Sequence, residues 1–172
     1  MKENLSIIEL KVKNKTELYS KFSTDNNKVV NEEVVSYIEN LARKLPNKEN
    51  LQIKIESEAK LIKAEQDDFK EAFRKYYKNK NAEINKNTNF FYLLSFVFLL
   101  VGMACIVGLN FLRNSNVSYV AQTILEVVSW VFIWEFVDIL CFKIGINFFK
   151  RRKNNKFLKS EIVFRWKRTQ RF

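Results

Sequence analysis

Three carboxylates stand where the chain is otherwise fit for lipid. The stretch "VVSWVFIWEFVDILCFK" (127–143) is dominated by Val, Ile, Phe and Trp, yet it carries Glu135 and Asp138, and Glu126 precedes it. An ionised side chain at mid-bilayer costs roughly 3 kcal/mol on insertion scales. Such a group persists by pairing, by protonation or by facing water. Glu135 and Asp138 are three residues apart and project within about 60° of each other on a helix, whereas Glu126 lies about 180° from Glu135. The pair is one feature and Glu126 another. Three states are open to the pair: hydrated or paired near a boundary with a neighbour's Lys143, lining a water-filled path between subunits, or protonated and bonded between helices.

Other chemistry is thinly supplied. The chain has no histidine, which removes the commonest general base and metal ligand, and no Cys/Asp cluster at ligand spacing replaces it. Its three glycines (Gly102, Gly108, Gly145) cannot form a phosphate loop or a dinucleotide fingerprint. No cofactor, metal or enzymatic reaction is expected. Cys105 and Cys141 fall at opposite depths of a helical hairpin and read as free, buried thiols.

The elements that must hold these residues follow from charge segregation. The 172-residue chain is 47% hydrophobic, but residues 88–112 carry no charge and 119–142 carry only the three acids. Each run exceeds the roughly 20 residues that cross a bilayer core. Ala104 and Gly108 offer a small-xxx-small packing contact, and Trp130 and Trp134 form an aromatic ridge beside the acids. Basic residues set the orientation. Residues 143–172 hold eleven Lys/Arg against one acid, while the loop "RNSNVS" offers only Arg113. Both termini are therefore expected on the cytoplasmic side of the membrane.

In the tail, Lys150, Arg151, Arg152 and Lys153 would meet lipid headgroups. Leu158, Ile162 and Trp166 recur every four residues among basic positions that include Arg165, Lys167 and Arg168. That spacing predicts an amphipathic helix in the interface. The same bases could instead hold an anionic ligand, a nucleotide or nucleic acid, with Phe157, Phe164 and Trp166 stacking on bases.

Ahead of the spans, "LSIIELKV" alternates as a strand. Asn31 caps a helix burying Val34, Ile38, Leu41 and Leu45 and closed by Pro46, and "LQIKI" alternates again. This β-α-β unit makes a marginal core alone, so neighbouring subunits are expected to complete it unless residues 13–28 do. Leu61, Phe69, Phe73, Tyr77 and Ile84 then line one face of a helix leading through "NAEINKNTN", read as an Asn-rich hinge, to the first span.

The order "IELKV … NEEVVSYIENLARKLP … LQIKI … FKEAFRKYY", followed by two apolar runs with "VSWVFIWEFVDIL" and a basic tail, resembles a group of uncharacterised small bacterial two-span membrane proteins. In layout alone it is also similar to membrane effectors of anti-phage defence. The expected fold class is membrane α-helical. It comprises a two-helix transmembrane hairpin (88–112 and 119–142, with an extension to 149), a small N-terminal α/β cytoplasmic domain (1–56), a connecting helix (57–87) and a basic amphipathic tail (150–172). The expected function is a homo-oligomeric, channel-like effector gated by its cytoplasmic domain. Its alternatives are a non-conducting anchor that recruits a cytoplasmic protein partner, and a membrane-bound nucleic-acid or nucleotide sensor.

Overall fold

The computed structural model describes residues 5–24, 27–46, 50–113 and 118–166. The chain forms two compact units, one from Met1–Asn81 with Lys153–Phe172 and the other from Ala82–Arg152.

The first unit is built on a three-stranded, all-parallel sheet in the order β1 (Leu5–Val12), β2 (Asn50–Ser57), β3 (Glu161–Trp166). Alternation decides its faces. Ile8, Leu10 and Val12 of β1 and Leu51, Ile53 and Ile55 of β2 are buried, and the register sets Ile8, Ile53 and Ile162 side by side. Helix α1 (Glu32–Arg43) begins where Asn31 Oδ1 accepts from the Glu33 N–H at 3.0 Å. Glu32 and Glu33 in its first turn and Arg43 in its last suit the helix dipole. It buries Val34, Val35 and Ile38.

The same core takes Phe69, Ala72, Phe73 and Tyr77 from the start of α2 (Lys63–Arg113). Their spacing of three and four residues puts these side chains on one helical stripe. Tyr77 stacks on Phe157 at 4.9 Å between ring centroids, and Phe69 meets Phe164 edge-on at 5.9 Å. The aromatic stripe is therefore core within one chain.

Two expectations are corrected here. The α/β domain is not residues 1–56 alone, and its third strand comes from the C-terminal segment of the same chain. Nor is 150–172 an amphipathic surface helix. Helix α4 (Gly145–Leu158) ends, and "EIVFRW" pairs with β2 as β3. A spacing of four satisfies a strand as well as a helix, and the run Ile162-Val163-Phe164 has the β-branched and aromatic character that favours the strand. Ile162 is buried in the sheet, and burying an apolar side chain of that size stabilises by about 1.5–3 kcal/mol. A membrane surface would cover only one side of it.

In the second unit, α2 continues without a break from the first, so connecting helix and first span are one 51-residue helix. "NAEINKNTN" does not act as a hinge. Asn falls short of Ala by only about 0.7 kcal/mol per helical residue, and Asn81 gains buried bonds of its own. Its Nδ2 donates to Asn155 Oδ1 at 2.9 Å and its Oδ1 accepts from Asn154 Nδ2 at 3.0 Å. Among the described helices, α2 is the one long and apolar enough to cross a membrane. The expected pair of matched spans is corrected to that extent. The second apolar run folds as α3 (Tyr119–Asp138, 20 residues) and passes through a π-helical turn (Ile139–Ile144) into α4.

Candidate functional site

Within the second unit, α3 returns antiparallel to the C-terminal part of α2, and the contacts fix the register. Gln122 Nε2 donates to the Leu112 carbonyl at 3.4 Å, Phe98 and Phe132 lie 5.8 Å apart, and Asn147 Nδ2 donates to Thr88 Oγ1 at 3.1 Å. The closest approach is at Gly102, where an added Cβ would sit 3.0 Å from Ile133 Cγ1. Ser95, Gly102 and Leu109, seven residues apart, are the buried positions of this stripe. Ser95 and Ser129 satisfy their hydroxyls on their own helices, at the carbonyls of Tyr92 and Leu125.

The sequence-based packing residues divide. Gly108 does face α3, 3.8 Å from Leu125 Cδ2 as measured from a Cβ built there. Ala104 is exposed, and Trp130 and Trp134 are 67% and 68% exposed, so neither tryptophan packs the pair within one chain. The seven-residue spacing of Ser95 and Gly102 was the signal that a search for small-xxx-small missed.

Glu126 is exposed, while Glu135 and Asp138 are half-buried. None of the three has a hydrogen bond or ion pair with another described side chain. The Lys143 ammonium lies over the Phe91 ring at 5.8 Å, so it is not the counter-ion of Asp138 within its own chain. Asp138 ends α3 at the π turn, whose i→i+5 bonding changes the helical phase. Ile139 and Ile144, about 140° apart on an ideal α-helix, are both buried there.

Beside that turn lies a cavity of about 530 Å³, lined from α2 by Asn85, Thr88, Asn89 and Tyr92 and from the returning helix by residues that include Leu140, Asn147 and Arg151. Lys150, Arg151 and Arg152 are exposed.

The remaining basic candidates belong to the first unit. Lys153 sits 3.5 Å from Glu39, Arg165 is exposed on β3, and Trp166 Nε1 donates to the Glu58 carbonyl at 3.2 Å. Lys167 and Arg168 lie outside the described residues. Phe157 is buried in the core, which removes it as a base-stacking platform, and Phe164 is half-buried with its ring packed against that core.

Sequence reasoning missed two further features of the first unit. Glu39 accepts from Lys80 Nζ at 2.7 Å and from the Tyr77 hydroxyl at 3.3 Å. Burial raises its pKa, but Lys80 and Lys153 outweigh that and hold it below the usual carboxylate range. A second cavity, about 340 Å³, follows the C-terminal end of β1 and is lined by Lys15, Tyr19, Ser20, Lys21 and Lys28 among others. Lys15 pairs with Glu65 at 2.8 Å and Lys28 with Asp68. Burial, then Asp68 and Glu65, push the Tyr19 hydroxyl up to about 12, so at neutral pH it is a hydrogen-bond donor. The density of lysine and hydroxyl residues in "KNKTELYSKFST" was its signal. Compared with protein-family models, curated proteins and solved structures, the chain matches none.

Proposed function

We propose that this chain is an oligomeric integral membrane protein of the bacterial inner membrane, in which α2 and α3 cross the bilayer and Glu135 and Asp138 line a gated, cation-preferring path between subunits. The half-buried acid pair carries this proposal. It has no partner among the described residues of its own chain, and a carboxylate at that depth requires water, a proton or another subunit. Two crossings per chain cannot enclose a pore, so the path forms in a homo-oligomer. The bare apolar surface of this unit, from Phe90 to Phe111 and from Tyr119 to Phe149, supports burial in lipid and against neighbouring copies.

Topology supports one orientation. β2 precedes the crossings and β3 follows them, yet the two strands pair. A hairpin crossing leaves both on one side of the membrane, and the excess of basic residues on that side supports the cytoplasm. The lysine- and hydroxyl-lined cavity after β1 gives the cytoplasmic unit a place for a controlling ligand.

The test is cation flux through the full chain reconstituted in liposomes. Flux that falls at least about tenfold in the variant Glu135→Gln, Asp138→Asn supports the path, given what a ring of charge contributes to conduction. No flux in any condition, or flux indifferent to both substitutions, contradicts it. A non-conducting anchor is the second possibility, and one observation favours it. The sheet's second face is open, with Leu5 44% and Ile7 42% exposed, although parallel sheets are ordinarily covered on both faces. An anchor predicts a stable complex with a cytoplasmic protein and unchanged function when both acids are neutralised.

A further inference from the structure

The polar lining of the cavity beside the π turn is concentrated toward one end of both walls. Asn85, Thr88 and Asn89 precede Tyr92 along α2, and on the returning helix Asn147 and Arg151 follow Leu140 and Ile144, with Ile84, Phe148 and Phe149 also lining that end. The helices are antiparallel here, with Thr88 bonded to Asn147. The carboxamides and the guanidinium therefore gather at one end, among Ile84, Phe148 and Phe149, and the other end, with Tyr92, Leu140 and Ile144, is apolar apart from the Tyr92 hydroxyl. Thr88 is spent internally, since its hydroxyl donates to the Ile84 carbonyl at 2.7 Å. The side chains of Asn85, Asn89 and Arg151 have no hydrogen bond to other described residues, so their donors remain for a ligand. No acid occurs between residues 139 and 160, which makes the polar end suited to an anion.

We propose that this groove binds an anionic phospholipid. The Arg151 guanidinium holds its phosphate through paired N–H donors, and the Asn85 and Asn89 carboxamides complete the shell. The upper acyl chain lies against Tyr92 and Leu140. A volume of about 530 Å³ accommodates a headgroup and the first part of a chain. The π turn shapes the wall, because Leu140 and Ile144 both line the cavity while Ile139 is buried beside them. A lipid seated there touches the helix immediately after Asp138, so lipid composition would bear on the acid pair.

This inference rests on the membrane placement proposed above, and one experiment separates the two. The full chain is placed in nanodiscs of equal parts phosphatidylcholine and phosphatidylglycerol, then extracted in mild detergent. Retained lipid is counted by native mass spectrometry. The expected result is phosphatidylglycerol retained in preference to phosphatidylcholine. That preference should fall at least about tenfold in Arg151→Gln, the loss of one charge-assisted contact, and little in Arg152→Gln. Leu140→Trp, which fills the apolar end, should abolish retention. Insertion without preference, or Arg151→Gln indistinguishable from Arg152→Gln, overturns the lipid site alone. Displacement of the bound species by inorganic phosphate, with Leu140→Trp having no effect, would identify a soluble phosphate ligand instead and also overturns it. Failure to enter nanodiscs overturns both proposals.

Discussion

Glu39 and the α3 acids are the same chemistry in opposite circumstances. Glu39, with its side chain 16% exposed, meets Lys80, Lys153 and the Tyr77 hydroxyl, and its charge is held. Its pKa lies below the ordinary 4.5, because the two ammonium groups outweigh burial. The linkage sign follows: the stabilisation is present above the unfolded pKa and is lost as pH falls through the lower folded value. Lys80 mirrors it, raised above 10.5 because Glu39 outweighs burial, so its share is complete below that pH and is lost as pH rises through the folded value. Glu39→Gln should cost about 1–2 kcal/mol at neutral pH, a partly screened charge-assisted contact. Chemical unfolding at two pH values checks this, with the gap to wild type narrowing in acid. A gap that widens on acidification would contradict the assigned sign. Glu135 and Asp138 lack such donors among the described residues of their chain, which is why their role is a functional question and that of Glu39 a structural one.

At the scale of elements, the α2–α3 contact depends on one glycine. Gly102 has 3.0 Å between an added Cβ and Ile133, whereas Gly145 has nothing within 4 Å. Gly102→Leu should separate the pair and lower the thermal midpoint in detergent, by about 1–3 kcal/mol of overpacking. Gly145→Ala should be neutral or stabilising by up to about 1 kcal/mol of helix propensity. Equal effects would show that Gly102 is not the contact. Elements of this kind were unevenly legible in the sequence. β1, α1 and β2 were readable because alternation, the Asn31 cap and Pro46 each point to one structure. The C-terminal segment was not, because Leu158, Ile162 and Trp166 recur at a spacing common to helix and strand. Trp130 and Trp134 are exposed within the single chain, and large aromatic side chains fit a packing seam between chains or a lipid-facing surface equally well, so sequence periodicity does not choose between them. The π turn left no local sign at all, since residues 139–144 are ordinary helix formers.

The whole molecule turns on a connection that no local pattern encodes. The crossover from β2 to β3 runs through α2, α3 and α4, so the helical pair is an insertion within an α/β fold. Composition revealed the apolar runs and the basic tail but not that the tail re-enters the sheet, because strand partners are set by tertiary packing rather than by nearby sequence. Closure also enlarges the small front domain from within its own chain: two strands and a helix become three strands with α1, the start of α2 and the end of α4. The most direct measurement is a disulfide between β2 and β3 in membranes, in a chain with Cys105 and Cys141 replaced by serine. Lys54 and Val163 are register partners, while Glu9 stands one strand further away. Lys54→Cys with Val163→Cys should oxidise rapidly to an intramolecular bond. Glu9→Cys with Val163→Cys should not, because two strand spacings of about 9.5 Å exceed disulfide reach. Absence of the first bond, or its appearance only between chains, would contradict the closed sheet and with it the insertion.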